Sequence, residues 1–61
     1  MPMVTVEWFE GRTTEQKAAL AQRMTSAFVE VAGTPRDQIW IRFHDVKRTD
    51  WAMGGRLCSE G

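Results

Sequence analysis

The chain has 61 residues, and its eight Lys or Arg are matched by eight Asp or Glu, so the formal net charge is zero. That balance argues against a nucleic-acid binder or a polybasic membrane anchor, both of which need clustered excess positive charge. With 43% hydrophobic and 26% charged residues, the composition is that of one small folded domain covering residues 1–61, not a disordered segment.

Residues Met3 to Phe9 alternate, with Val4, Val6 and Trp8 on one face and Met3, Thr5, Glu7 and Phe9 on the other. β-branched and aromatic residues at period two predict a strand, which Gly11 closes. Thr13 and Gln16 have capping-box spacing, and Glu15 is placed to meet the positive end of a helix dipole. A helix is predicted over Thr14 to Ala32, with Leu20, Met24, Ala27, Phe28 and Val31 forming one apolar stripe expected to be core. Gly33 then falls where a left-handed terminating residue belongs, and Pro35 blocks continuation. A second strand is predicted over Gln38 to Val46, where Ile39, Ile41 and Phe43 alternate with Trp40, Arg42 and His44. The tail from Lys47 carries Trp51, Met53 and the pair Gly54-Gly55, and reads as a turn or short hairpin. Strand, long helix, strand is an α/β unit whose crossover should be right-handed and whose strands should be parallel.

A chain this short meets an energetic difficulty. Ordering it costs on the order of 90 kcal/mol in conformational entropy, while a domain near 60 residues buries only about 60% of its unfolded surface. The single cysteine, Cys58, can form no internal disulfide and no Cys-rich zinc site, and it points to a reducing, cytoplasmic setting. No run approaches the roughly 18 apolar residues of a membrane span, and no signal-peptide pattern opens the chain. Oligomerisation is the remaining common reinforcement, and three Trp and three Phe supply interface material.

The chemical inventory is short: no Tyr, one His and one Cys, with neither glycine-rich phosphate-binding fingerprint. His44 is a lone imidazole at a strand end, a place where structural roles are commoner than catalytic ones. Pro2 is the unusual feature. Initiator methionine is generally removed before a small second residue, so Met1 is expected to be absent from the mature chain. The Pro2 nitrogen is then a secondary amine able to accept a proton. A free α-amino group titrates near 7.7–8.0 in model peptides, and nearby cations or desolvation would bring it towards the range of a general base.

The segment Pro2 to Lys17, P-M-V-T-V-E-W-F-E-G-R-T-T-E-Q-K, resembles the opening of the 4-oxalocrotonate tautomerase family: an N-terminal proline, an alternating strand, then E-G-R-[ST]-x-E-Q-K leading into the helix. The likeness continues through the Pro35 turn, the second strand and W-A-M-G-G-R-L, covering essentially everything after Met1. It implies a β-α-β protomer that pairs into dimers, three of which normally form a hexamer with active sites across subunit boundaries. It also implies proton transfer between carbons of an enol or dienol acid, without metal or cofactor. On this resemblance Pro2 aligns with the catalytic base, Arg12 with an arginine that binds a substrate carboxylate, and Trp51 with an aromatic lining the apolar end of the pocket.

One departure narrows the expected substrate. The family member that isomerises a dicarboxylate carries a second arginine where this chain has Trp40, and a neutral indole cannot stabilise a second carboxylate or a developing enolate as an arginine can. Arg42 lies on the same strand face about 6–7 Å further on, and Arg36 is a weaker substitute from the preceding loop. The expectation is a monocarboxylate with an apolar or aromatic remainder, held by Arg12 against Trp40 and Trp51. Two other readings stay open. One is hydration or dehalogenation of a 3-haloacrylate, for which Met53 stands where the water-activating acid aligns and Asp45 and Asp50 are out of register. The other is a non-catalytic subunit of a hetero-oligomer.

Overall fold

The computed structural model describes residues 2–60; the expected removal of Met1 falls outside the described residues. Strands β1 (Met3–Phe9) and β2 (Trp40–Val46) pair in parallel, joined by helix α1 (Thr14–Ala32). The register sets Val4 against Ile41, Val6 against Phe43 and Trp8 against Asp45. Because side chains alternate, Val4, Val6, Trp8, Ile41 and Phe43 are half-buried on one face. Met3, Thr5, Glu7, Trp40, Arg42 and His44 stand exposed on the other. Across that exposed face Glu7 and His44 oppose one another, with His44 Nδ1 3.0 Å from Glu7 Oε1.

Both ends of α1 are fixed by the residues expected to fix them. The Thr13 hydroxyl accepts from the Gln16 N–H (3.1 Å), and the Gln16 side chain accepts in return from the Thr13 N–H (2.9 Å). These contacts satisfy two amides that the first helical turn leaves without partners. At the other end Gly33 adopts φ 69° and donates its N–H to the Val29 carbonyl at 3.2 Å, a conformation a side chain would strain.

Strand β2 starts two residues later than predicted. Gln38 donates its N–H to Pro35 O (3.0 Å) and Ile39 donates to Arg36 O (3.3 Å), closing a 3₁₀ turn over Arg36–Gln38. With that donor used, Gln38 cannot open the ladder, and the first bond belongs to Trp40, whose N–H reaches Pro2 O at 3.0 Å. After a second 3₁₀ turn (Arg48–Asp50), the tail forms the expected hairpin, β3 (Ala52–Met53) against β4 (Arg56–Leu57), with its turn at Gly54 and Gly55. A last 3₁₀ turn, Cys58–Glu60, follows.

The helix stripe is not the enclosed core its spacing predicts. Leu20, Met24 and Phe28 are half-buried, but Ala27 is exposed and Val31 is 89% exposed. The exposed stripe residues lie in the C-terminal half of α1. The helix is longer, at about 28 Å against about 23 Å for a seven-residue strand. No side chain among the described residues is fully buried. The radius of gyration is 14.8 Å, within extents of 43 × 24 × 14 Å, against about 10.5 Å for a compact domain of this length. The protomer is a thin slab: one layer of helix on one of sheet.

Candidate active site

The candidate residues divide between the two ends of the strand pair. Pro2 precedes β1, and its carbonyl accepts from the Trp40 N–H, which ties the start of β1 to the start of β2. Trp40 lies opposite Met3, and both are about half exposed (54% and 53%). Arg42 is two pairs further along, opposite Thr5 on the same face; its side chain makes no hydrogen bond or ion pair among the described residues.

Arg12 and Trp51 gather at the opposite end, about 23 Å away along the strand. Gly11, at φ 129°, turns the chain out of β1 through a conformation that side-chain-bearing residues rarely adopt. Arg12 can therefore fold back. Its Nη1 donates to Phe9 O at 3.1 Å, and its guanidinium carbon lies 4.8 Å from the centroid of the Trp8 ring. Trp51 packs on Phe9 with centroids 4.5 Å apart, and the guanidinium of Arg48 covers Phe9 at 4.1 Å. The Trp51 backbone is held by the Cys58 N–H, which donates to its carbonyl at 2.8 Å. Within one protomer Pro2 and Arg12 do not meet, and neither do Trp40 and Trp51.

Beneath Arg12 lies a cluster that the sequence did not single out. Trp8 stacks on Phe43 (5.2 Å, 14°) and donates its indole N–H to Asp45 Oδ1 at 2.6 Å. Lys17, reaching across from α1, holds Asp45 Oδ2 at 2.5 Å. The Lys17 hydrogen bond, then that of Trp8, keep the Asp45 carboxyl below its ordinary value of 3.8; the charges of Lys17 and Arg12 act in the same direction. Arg12 itself has no ion-pair partner among the described residues. Strand alternation places Trp8 on the half-buried face, but only the β1–β2 register shows Asp45 beside it.

The other candidates are committed elsewhere. Arg36 donates to Ser26 Oγ (3.2 Å) and Gln22 O (3.4 Å), so its guanidinium braces α1. His44 faces Glu7, and Asp45 has both oxygens engaged. No group of three or more metal-ligating side chains exists among the described residues, and no helix there is long and apolar enough to cross a membrane.

A parallel β-α-β unit that begins at Pro2 and enters its helix at Arg12 is a small, recurrent protomer type, and the likeness extends to sequence. Residues 2–60 match the family described as tautomerase enzyme. A probable tautomerase of Ralstonia nicotianae is 45% identical over 60 residues, which is 98% of this chain and 92% of that one. A crystal structure of the 4-oxalocrotonate tautomerase homologue TTHB242 superposes with a TM-score of 0.91 at 33% identity, covering 100% of this chain and 97% of the other. A heterohexameric 4-oxalocrotonate tautomerase from Chloroflexus aurantiacus gives 0.85 at 32% identity, over 98% and 97% of the two chains. The chain belongs to the tautomerase family and shares the fold of the 4-oxalocrotonate tautomerase homologues.

Proposed function

We propose that the protein is a cofactor-independent isomerase that moves one proton within a small enol or dienol monocarboxylic acid. Pro2, freed by removal of Met1, takes a proton from the enol hydroxyl or an adjacent carbon and returns it to another carbon. Substrate and product then differ only in the position of that proton and one double bond. Arg12 holds the carboxylate through charge-assisted hydrogen bonds, Trp40 and Trp51 wall the apolar remainder, and Arg42 shares the strand face of Trp40. Acids of the phenylenolpyruvate type suit this set.

The observation that carries the reading is the unpaired guanidinium of Arg12, fixed on Trp8 and Phe9 at the helix entry of a tautomerase-family chain. Because Pro2 and Arg12 lie at opposite ends of one protomer, the site needs Pro2 of one copy and Arg12 of another. A homohexamer built as a trimer of dimers supplies that junction and covers the apolar surface that one slab leaves open. Turnover of phenylenolpyruvate by material shown by intact mass to begin at Pro2, and its loss in Pro2→Ala, tests the mechanism; equal rates reject it.

A second reading draws on the heterohexameric relative of Chloroflexus aurantiacus: this chain pairs with a sister chain that supplies an arginine where Trp40 stands. Co-purification of a second tautomerase-like chain, with no turnover by the isolated protein, selects that reading.

A further inference from the structure

An arginine that must accept a substrate's carboxylate must be protected from the protein's own carboxylates. Asp45 is the threat here: it is close enough for the Arg12 charge to lower its titration, and it lies beside the ring on which Arg12 rests. An internal carboxylate is present at high effective concentration and would outcompete a dilute external one for the same guanidinium. Two contacts prevent this. The Trp8 indole holds Oδ1 at 2.6 Å, and the Lys17 ammonium neutralises Oδ2 at 2.5 Å. Lys17 reaches Asp45 from the first turn of α1, where the capping box fixes the backbone. The Phe9 carbonyl, fixed at the end of β1, takes only one N–H of a guanidinium that has five to offer.

We propose that Lys17, Asp45 and Trp8 are positioning residues: Lys17 and the indole N–H withhold Asp45 from Arg12, and the Trp8 ring is the shelf that aims the guanidinium outward. This rests on the reading that Arg12 binds the substrate carboxylate. Lys17 therefore governs substrate affinity without touching substrate, and its removal releases Asp45 to capture Arg12.

The test is steady-state turnover of phenylenolpyruvate by the full, Met1-processed protein, with Arg12→Ala as the reference. Lys17→Met is expected to raise KM about fivefold at unchanged kcat, the size of a partly exposed ion pair competing for the guanidinium. Adding Asp45→Asn in the same chain restores KM to within about twofold, because the competing charge is gone. Lys17→Arg, which keeps the pair, retains the parent KM. Trp8→Leu, which keeps Lys17–Asp45 but removes the shelf, raises KM. A purely structural role for Lys17 predicts no rescue by the second substitution, and that result overturns the proposal, as does an unchanged KM in Lys17→Met where Arg12→Ala raises it. Should Lys17→Met fail to fold, Trp8→Leu carries the test, and an unchanged KM there is equally fatal. An unchanged KM in Arg12→Ala rejects the assignment of Arg12 itself, and the positioning set falls with it.

Discussion

The two ends of the β1–β2 pair are built on opposite plans. At the Pro2 end the Trp40 N–H closes the strand pair on Pro2 O, and Met3 and Trp40 stand half-exposed. The Arg12 end is crowded with aromatic and cationic groups: Trp8 on Phe43, Arg12 on Trp8, and Phe9 between Trp51 and Arg48. In the proposed mechanism the first end must leave an amine accessible, while the second must hold a charge in one place. A group that transfers protons is served by room around it, and a group that binds an anion by prior orientation. The contrast suits a division between base and binding site.

The sharpest way to break this comparison is to remove the base. Pro2→Ala is expected to lower kcat about 10²- to 10⁴-fold, the usual contribution of a positioned general base, with KM little changed. Material retaining Met1 should be equally inactive, since its Pro2 nitrogen is an amide. A turnover assay matched to intact mass checks both. Arg12→Ala should act on the other parameter, raising KM about 10- to 100-fold, as expected for losing hydrogen bonds to a charged group. If kcat falls instead, the two ends do not divide the work as described.

Trp40→Arg sharpens the comparison by carrying binding character to the Pro2 end. It should shift the kcat/KM ratio about tenfold towards a dicarboxylate such as 2-hydroxymuconate and away from phenylenolpyruvate. Equal preference would show that Trp40 does not face substrate. Gly33→Ala, at the helix terminus, should cost about 1 kcal/mol because its backbone occupies the left-handed region, read as a lower urea midpoint at unchanged kcat.

The smallest expected effect is a pH dependence at the Arg12 end. The Asp45 carboxyl titrates below its ordinary 3.8 when folded, chiefly through Lys17 and then Trp8. The unfolded chain therefore binds the proton more readily, and the stabilisation is fully present above about pH 4 and lost as pH falls through the folded value. Urea midpoints from pH 6 downward should fall more steeply in the parent than in Asp45→Asn. Parallel slopes would show that the cluster contributes nothing to folding.

Much of this fold was legible in the sequence because its signals are local. Alternation from Met3 to Phe9 needs only neighbouring residues, and the Thr13–Gln16 box and the terminating Gly33 each act within one helical turn. The start of β2 was less so. Alternation continues back through Gln38, but Pro35 O captures its N–H, and a side-chain pattern does not report a competing backbone bond. Arg12 and Pro2 were visible through their motif, whereas Trp8–Asp45–Lys17 was not, because it depends on which residues β1 and β2 set opposite one another. The contacts of Arg36 were hidden for the same reason. Its partners, Ser26 and the Gln22 carbonyl, lie on a helix face that its loop position does not disclose.

The distance between Pro2 and Arg12 within one protomer has a genetic counterpart. When a site draws its base from one copy and its anion-binding arginine from another, a chain damaged at one end can still serve through the other. Two inactive variants, Pro2→Ala and Arg12→Ala, unfolded together and refolded as an equal mixture, should regain roughly a quarter of the parental sites, the chance that both independent draws are intact. A duplicated gene could therefore lose one end in each copy without losing the reaction, making two half-competent chains depend on each other.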